Sequence, residues 1–402
     1  MLSVAEARER ALAEFTPLPS ERVAVQQARG RVLARGADAL EDNPPFDNSA
    51  MDGYAVLAAD LVDASSDSPV SLRVIDNIPA GKAPTVQIKR GCAARIMTGA
   101  MIPPGADAVV MIESTETDGG NVRILQSAKP GSHIRRKGES VRAGDRVLEP
   151  GTLISPAECA MLAALNIAHA EVYRKPRAAV LSTGDELTDL GAPLKPGKIR
   201  DSNRYGLWAQ IEEAGGTPID LGIASDDAEE VEKKIRAGME KADLLITSGG
   251  VSVGDHDIVK EALLRLGELH FWRVAMKPGK PQAFGRILGK PVFALPGNPV
   301  SSMVVFELFA RPALLKMGGR RRLFRRTVRA AMSQAVRPDA SGRVNYMRVA
   351  LTETNGRLCA ELTGAQGSGI LRSLIGANGL AVVDKGGVNA GAELDVLLIG
   401  EI

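Results

Sequence analysis

The sequence has few aromatic residues and almost no net charge. Phe, Trp and Tyr make up 3% of its 402 residues, so an aromatic surface for stacking single-stranded bases is not expected. The 50 lysines and arginines nearly balance the 48 aspartates and glutamates. Because this balance gives no overall positive field, neither nucleic acid nor a membrane surface is expected as a partner, and any electropositive site must be local.

Cysteines are scarce, and no apolar run is long. Cys92, Cys159 and Cys359 form no CxxC pair, which argues against structural zinc and predicts buried free thiols. No apolar run reaches about 18 residues, so no transmembrane helix is predicted. The first segment, MLSVAEARERALAEF, contains acidic residues and no apolar core, so it is not expected to be a signal peptide. These absences predict a cytoplasmic protein.

Two common nucleotide-binding motifs are also missing. Gly197-Lys198 is followed by Ile199 and Gly279-Lys280 by Pro281, so neither pair completes a Walker A motif. No GxGxxG follows the first strand of the predicted α/β domain. An ordinary nucleotide hydrolase and a dinucleotide dehydrogenase are therefore disfavoured.

The length and patterning predict about three domains. The predicted division is residues 1–174, a β-rich N-terminal region with an inner subdomain over about 45–140; residues 175–319, an α/β domain; and residues 320–402, a C-terminal β domain. A helix is predicted at Ser3–Phe15, with Ser3 and Glu6 as a capping box. Short apolar runs then predict strands at 70–75, 93–97, 108–112 and 122–125, followed by a helix at 157–165.

The α/β domain shows the most regular pattern. Strands are predicted at 178–181, 218–221, 244–247, 270–274 and 292–295, and helices at 203–214, 228–241, 257–266 and 301–316. Asp226 and Glu229 are predicted as the capping box of the second helix. Alternating strands and helices are typical of a doubly wound parallel sheet covered on both faces.

A run of arginines, 320–322 with 325 and 326, precedes the last domain. A solvated linker or domain-contact face is favoured there over a nucleic-acid patch. Five short strands are predicted after it, at 328–335, 344–351, 358–362, 380–383 and 394–399, and this spacing is typical of a small β-barrel or sandwich.

Four polar, mostly glycine-rich loops follow strands of the α/β domain: 182–186, 248–255, 277–281 and 296–299. The carboxyl ends of parallel strands share the edge at which open α/β sheets bind ligands. Glycines let backbone amides approach an anion, helix N-termini add positive dipole ends, and Lys277 and Lys280 add charge. Any one loop is ordinarily a turn, but four at one edge predict a site for a phosphate-bearing ligand. The candidate ligand-binding residues are Thr183, Gly184, Asp185, Ser248, Gly249, Gly250, Ser252, Gly254, Asp255, Lys277, Lys280, Pro296, Gly297, Asn298 and Pro299.

Carboxylates cluster near the same strand ends: Asp185, Glu186, Asp226, Asp227, Asp255 and Asp257. Beside a phosphate they would repel the ligand unless a cation bridges them, and Mg²⁺ is bound in this way. Helix capping is the alternative, and it accounts in part for Asp226. A third candidate segment, 44–55, is dense in Pro, Asn, Asp and Ser, which predicts a shaped loop with polar contacts.

Seven motifs in order resemble the molybdopterin molybdenumtransferases, or molybdenum insertases, to which the C-terminal part of gephyrin also belongs. The motifs are SAMDGYAV (49–56), RIMTGA (95–100), LSTGDEL (181–187), DSN (201–203), TSGGVSVGDHD (247–257), MKPGKP (276–281) and LPGNPVS (295–301). The resemblance covers essentially the whole chain. It implies that the α/β domain is the molybdopterin-binding domain and that the four loops form its pocket.

The resemblance also implies a reaction. Adenylylated molybdopterin and molybdate would be the substrates, and cleavage of the phosphoanhydride would release AMP as molybdenum joins the dithiolene. Matching the family's motifs implies a set of acids that would serve Mg²⁺ and the substrate phosphates: Glu186, Asp226 or Asp227, and Asp257. Of these, Glu186 and Asp257 would be the metal ligands. Lys277, Pro296 and Pro299 would line the pocket for the ligand and molybdate.

The implied assembly is a homodimer in which Asp52 and Thr98 reach the partner subunit's site. Further implied partners are the molybdopterin adenylyltransferase and molybdoenzyme chaperones. One departure from the family is Ser140 after Gly138-Glu139, where the family commonly has Asp, so a contact there could weaken or pass to Glu139.

Two alternatives were weighed against the insertase. The adenylyltransferase of the preceding step needs only the α/β domain, so SAMDGYAV and the C-terminal β domain argue against it. A gephyrin-like scaffold is expected to carry an adenylyltransferase domain and a linker, and neither is found in the sequence.

Overall fold

The structure is a computed structural model that describes residues 1–249, 258–338 and 341–402. Its contacts divide the chain into two compact units. One unit comprises Met1–Arg22, Gly30–Ala34 and Glu171–Ile402, and the other comprises Val23–Arg29 and Arg35–Ala170. The boundaries predicted at 174 and 319 stay predictions.

The N-terminal region begins with a helix and continues mainly as short strands. Its elements are α1 Val4–Ala13, β1 Ser20–Ala24, α2 Val25–Ala28, β2 Ala37–Asp38, β3 Asn48–Ser49, β4 Gly53–Val56, β5 Val70–Ile78, β6 Cys92–Ile96, β7 Ala108–Met111, β8 Thr115–Asp118, β9 Asn121–Ile124, β10 Ile134–Arg135, β11 Arg146–Leu148, α3 Pro156–Ala164 and β12 His169–Tyr173. The predicted capping box of α1 is confirmed: Ser3 Oγ accepts from the Glu6 amide, and the Glu6 carboxylate accepts from the Ser3 amide.

One six-stranded sheet organises the second unit. Its strand order is β7-β4-β6-β5-β9-β8. Alternate residues of β9 are buried, as expected for a strand with one face on a core. The first face packs around Tyr54, Leu72 and Val122, and the second around Ile78, Ile96 and Val109.

The α/β region has the predicted alternation. Its elements are β13 Arg177–Thr183, β14 Leu187–Thr188, β15 Ile199–Arg200, α4 Asn203–Glu213, β16 Thr217–Ala224, α5 Ala228–Met239, β17 Leu244–Ser248, α6 Ile258–Leu266, β18 Gly267–Arg273, β19 Met276–Lys277, β20 Pro281–Ile287, β21 Lys290–Leu295, α7 Pro299–Val305, a π-helical segment Phe306–Ala310, and α8 Arg311–Met317. The main sheet has the order β16-β13-β17-β21-β20-β18.

Helices cover both faces of this sheet. Along β13, Ala178 and Val180 face a core that includes α4, α7 and α8, while Ala179 and Leu181 face a core that includes α5 and α6. Burial on both faces explains why β13 and β17 read as continuous apolar runs, with β17 buried at every position. The doubly wound α/β fold is confirmed.

Two details of the sequence interpretation are wrong. The sheet is not wholly parallel, since an unpredicted strand, β20, is antiparallel to both β21 and β18. The N-cap of α5 is Asp227, whose carboxylate accepts from the amides of Glu229 and Glu230, so Asp226 is not the capping residue. The helix begins one residue later than the predicted capping box requires.

The C-terminal strands form a closed barrel. They are β22 Thr327–Met332, β23 Val344–Thr354, β24 Arg357–Leu362, β25 Gly379–Val383 and β26 Glu393–Leu398. The order β23-β24-β22-β26-β25 is closed by the pairing of β25 with β23, and β19 adds to β23 from outside. Closure leaves no edge within these five strands and confirms the barrel alternative.

The remaining composition-based expectations concern helices and thiols. None of the helices in the described ranges is long and apolar enough to cross a membrane. Cys92, Cys159 and Cys359 are free thiols, as predicted, but they are half-buried rather than buried.

Candidate functional site

The predicted loops follow strands that point to one edge of the α/β sheet. Strands β13, β16, β17 and β21 are parallel, and β18 runs in the same direction because it and β21 are both antiparallel to β20. The carboxyl ends of β13, β17, β18 and β21 therefore share an edge, the position at which open α/β sheets bind ligands. The antiparallel strand leaves this shared edge intact.

Close backbone packing joins three of these strand ends. Gly249, directly after β17, has a φ of +95°, and a Cβ at this position would lie 2.5 Å from the carbonyl oxygen of Thr183. Its amide donates to the carbonyl of Leu295 at the end of β21, at 3.2 Å. Because both the positive φ and the close approach exclude a side chain, glycine is required at this position.

A buried arginine fixes the beginning of α4 beside the same edge. The side chain of Arg204 is 5% exposed, and its Nε donates to Asp201 at 3.1 Å. Its Nη1 donates to both carboxylate oxygens of Asp220, at 2.8 and 2.9 Å, and its Nη2 donates to Asp189. Three carboxylates around one guanidinium hold the first turn of α4 in place.

Asn203, next to Arg204, joins two of the loops. Its Nδ2 donates to Ser248 Oγ at 2.8 Å and to the carbonyl of Gly297 at 2.7 Å. A carbonyl oxygen only accepts, so the bond to Gly297 fixes the orientation of the carboxamide. The end of β17 and the loop after β21 are thus linked through one side chain.

The lysine-bearing loop packs against α7. Gly279 has a φ of +104°, and a Cβ there would lie 2.4 Å from Cγ2 of Val305. Lys277 is exposed and Lys280 is half-buried. The backbone of Met276 and Lys277 pairs with β23 of the barrel, so the barrel supports this loop.

The barrel also contacts the loop after β21. The amide of Val300, in the first turn of α7, donates to the carbonyl of Ser368 at 3.1 Å. The segment containing Ser368 is held by Arg348, which is buried and donates to Ser373 Oγ at 3.0 Å and to the carbonyl of Gly367 at 3.3 Å. Burial lowers the pKa of Arg348 to about 10.

Two of the predicted carboxylate residues, Asp185 and Asp226, are hydrogen-bonded to each other. The Asp226 amide donates to Asp185 Oδ1 at 3.1 Å and the Asp185 amide to Asp226 Oδ2 at 3.4 Å, which joins the loops after β13 and β16. Asp185, Glu186, Asp226 and Asp227 are all exposed. Within the described residues, no three acids, histidines or cysteines form a metal-binding group.

The chemistry of the exposed acids nevertheless fits Mg²⁺. This ion takes oxygen ligands and is commonly held by one or two carboxylates together with substrate phosphates, so a complete protein cage is not required. Asp257, one of the two predicted metal ligands, lies outside the described residues, as do Gly250, Ser252, Gly254 and Asp255.

Buried polar atoms without partners concentrate near these strand ends. In the described part of the chain, eight buried side-chain atoms make no hydrogen bond. Five of them belong to residues at or near this edge: Ser182, Thr183, Asn203, Thr247 and Ser302. Leaving a buried polar atom unsatisfied costs about 1–3 kcal/mol, so such a concentration marks a surface suited to a polar ligand.

The two N-terminal candidates, Asp52 and Thr98, lie in the second unit. Asp52 and Thr98 are both exposed, and Asp52 Oδ1 accepts from the Thr98 amide at 2.7 Å and from Thr98 Oγ1 at 2.8 Å. These two bonds, the amide first, hold the pKa of Asp52 below its ordinary value of 3.8, and Arg95 adds to the shift. The structure thus brings together two residues that are 46 positions apart.

The departure at Ser140 lies in a turn stabilised by the neighbouring glutamate. Glu139 Oε2 accepts from the Arg136 amide at 2.7 Å, and Arg136 Nη1 donates to Asp47 at 2.7 Å. The Lys137 amide donates to Asp47 at 2.8 Å, and this bond and Arg136 lower the pKa of Asp47. Glu139 therefore stabilises the backbone of this turn, while Ser140 is exposed.

Three contributors to the site were missed from the sequence. They are Asn203, whose role the DSN motif does not indicate, Arg204, and the segment around Ser368. The sequence DSN at the start of a helix indicates a capped first turn. The hydrogen-bond partners of Asn203, however, are 45 and 94 residues away along the chain. No local pattern predicts such contacts.

The fold and the candidate site define an α/β protein with polar loops at the strand ends, accompanied by β-rich domains. Three family models match: the MoeA N-terminal region (domains I and II) over residues 2–166, a probable molybdopterin-binding domain over 179–316, and the MoeA C-terminal region (domain IV) over 330–399. The chain belongs to the molybdopterin molybdenumtransferase family and is an enzyme of that family. The resemblance inferred from the seven motifs is confirmed.

Relatives match along nearly the whole chain. The molybdopterin molybdenumtransferase of Haemophilus influenzae is 37% identical over 401 residues, which cover 98% of both chains. The molybdopterin molybdenumtransferase 2 of Mycobacterium tuberculosis is 41% identical over 382 residues, 93% of this chain and 94% of its own. The crystal structure of the molybdopterin biosynthesis MoeA protein from Pyrococcus horikoshii superposes with a TM-score of 0.83 at 31% identity, covering 99% of this chain and 100% of its own.

Proposed function

We propose that this enzyme inserts molybdenum from molybdate into adenylylated molybdopterin and releases AMP. The observation that carries the proposal is the shared strand edge, where three strand ends pack closely through Gly249 and where, among the described residues, buried polar atoms lack partners. Backbone amides and lysines there suit a ligand that carries phosphate groups. Membership of the family supports the proposed identity of the ligand, and the geometry of the strand edge supports its proposed position.

The reaction would proceed with balanced bonds and no net oxidation. The molybdenum of molybdate bonds to the two dithiolene sulfurs, and one displaced oxo group leaves as water with the two thiol protons. Hydrolysis of the phosphoanhydride gives AMP and the terminal phosphate of molybdopterin. The residues proposed to line the ligand and molybdate pocket are Lys277, Lys280, Pro296 and Pro299.

Mg²⁺ would be held by Glu186 and Asp257, with Asp226 or Asp227 serving the phosphates. Of the two neighbouring aspartates, Asp226 fits this role better because the carboxylate of Asp227 is used to cap α5. When bound, the ion would neutralise negative charge on the phosphate groups. The exposed carboxylates would otherwise repel the phosphates that the loops bind.

The site is proposed to be shared between the subunits of a homodimer in the cytoplasm. Asp52 and Thr98 would reach the site of the partner subunit, as the family resemblance implies. Their contact supports a role in binding, because it keeps an ionised carboxylate at an exposed position. The molybdopterin adenylyltransferase would supply the substrate, and molybdoenzyme chaperones would receive the product.

The test uses purified protein with adenylylated molybdopterin, Mg²⁺ and molybdate. AMP release should increase when molybdate is added, and the product should reconstitute an apo molybdoenzyme such as nitrate reductase. Consumption of ATP to form the adenylylated substrate, without incorporation of molybdenum, would assign the protein to the preceding step instead. Asp257→Asn should leave folding intact and reduce AMP release sharply; a wild-type rate would remove Asp257 from the metal site.

A further inference from the structure

The side chain of Asn203 connects two segments at the strand edge that are far apart in the sequence. Its Nδ2 lies 2.8 Å from Ser248 Oγ, at the end of β17, and 2.7 Å from the Gly297 carbonyl, after β21. Ser248 is 2% exposed, whereas Gly297 lies at the surface. A single amide group thus spans from the buried end of one strand to the exposed turn that follows another.

The amide is held from a rigid position. Asn203 is the first residue of α4, and Arg204, the next residue, is fixed by Asp201 and Asp220. The turn at Gly297, by contrast, is irregular backbone, whereas Ser248 is held in β17 by the pairing of this strand with β13 and β21. Asn203 therefore fixes the turn at Gly297 against the end of β17.

We propose that Asn203 is a positioning residue for the ligand: its carboxamide holds the turn at Gly297, after β21, against Ser248 at the end of β17, in the position that the ligand requires. The inference rests on the proposed function, since the ligand is taken to be adenylylated molybdopterin. Ligand binding would then need no rearrangement of this turn, and losing the link would weaken binding without removing any group that reacts.

The chain offers a matched control on the same helix. Gln210, seven residues along α4, also donates from its carboxamide to a backbone carbonyl of α7, that of Met303, at 3.2 Å. Its Oε1, like Asn203 Oδ1, is buried without a partner in the described structure. Gln210 thus forms the same kind of bond, but its acceptor lies within α7 rather than in the turn after β21.

The experiment compares Asn203→Ala with Gln210→Ala in the full-length protein. Steady-state AMP release is measured against the concentration of adenylylated molybdopterin, with Mg²⁺ and molybdate present. Asn203→Ala should raise KM by about 5–150-fold, the range typical of coupling between two sites, with kcat little changed. Gln210→Ala should leave KM unchanged. A purely structural role would lower kcat through loss of folded protein and leave KM as in wild type.

Ser248→Ala supplies a second variant if Asn203→Ala folds poorly. It removes one of the two links and keeps the bond to Gly297, so its KM should lie between those of wild type and Asn203→Ala. The double variant should be no worse than Asn203→Ala alone, because the same contact is removed. Fully additive effects on KM would overturn the proposal.

A measurement without ligand separates this inference from the proposed function. Hydrogen exchange in residues 295–302 should be faster in Asn203→Ala than in Gln210→Ala. If wild-type protein releases no AMP, the proposed function fails, while the exchange result still reports on the link. If wild-type protein is active and the two variants agree in both KM and exchange, the positioning role is wrong and the function stands.

Discussion

Replacing Arg204 with methionine would test how the beginning of α4 is held. Arg204 and Asp201 have side chains 5% and 1% exposed, while the other two partners, Asp220 and Asp189, are 45% and 54% exposed. Removing one member of a buried ion pair typically costs about 3–5 kcal/mol because the remaining charge stays buried. Water can solvate the two exposed carboxylates, so most of the loss should come from Asp201.

The expected loss is measurable as a shift in thermal unfolding. At about 2–4 °C per kcal/mol for a unit of this size, Arg204→Met should lower Tm by roughly 6–20 °C in scanning calorimetry. Asp220→Asn is the matched control, because it removes a half-exposed partner and should cost only about 0–1 kcal/mol.

A double variant identifies the buried carboxylate as the source of the loss. Arg204→Met combined with Asp201→Asn removes both buried charges and should recover part of the stability lost in Arg204→Met. If Arg204→Met costs no more than Asp220→Asn, or if the second substitution recovers nothing, the buried pair does not hold α4 as argued.

Three further predictions concern both units. Thr98→Val should raise the pKa of Asp52 only part of the way to 3.8, because the backbone amide remains, and carbon-detected NMR titration measures this. The stabilisation from the ionised form of Asp52 should be complete well above pH 3.8 and disappear as the pH falls through the lowered pKa. If Asp52 of the wild-type protein titrates with its ordinary pKa of 3.8, the contact with Thr98 is contradicted. Gly249→Ala should cost more than the about 1–2 kcal/mol of a left-handed backbone alone, whereas Gly191→Ala, at a φ of +84° in open space, should cost only that; equal Tm shifts would exclude the close contact at Gly249. If the site is shared between subunits, purified mixed dimers of Asp52→Ala and Glu186→Ala should recover AMP release that neither variant has alone, and inactive mixed dimers would count against sharing.

Local patterns predicted the elements that depend on local physics. The apolar positions Val231, Ile235 and Met239 fall on one face of α5 and are buried, so their helical spacing was informative. The capping box at Ser3 was equally predictable from the sequence, since both of its hydrogen bonds join residues three positions apart. The sequence could not show whether Asp226 or Asp227 is the N-cap of α5, because both of these adjacent acids have a glutamate three residues later.

Tertiary contacts explain what the sequence did not reveal. Strand β20, with the sequence PQAFGRI, contains Pro and Gly and only one β-branched residue, so its local preference for a strand is weak. It forms because it pairs with both β18 and β21. The arginine run was similarly ambiguous: Arg325 proves to pair with Glu213 and the buried Glu307, a contact that no charge count predicts.

Among the described residues, buried polar atoms without hydrogen-bond partners lie near the strand edge that is proposed to bind the ligand. They indicate that the residues of this edge are not selected for stability alone. Ser182, Thr183 and Thr247 lie in strands whose other residues, apart from the exposed Arg177 and the buried Ser248, are apolar and buried. Small apolar residues would fill these positions without the cost of about 1–3 kcal/mol for each unsatisfied group. That cost falls on the free protein, and water or ligand groups that reach these atoms would remove it. Discrimination follows from the same groups, because an analogue without a matching polar atom would leave them buried and unpaired.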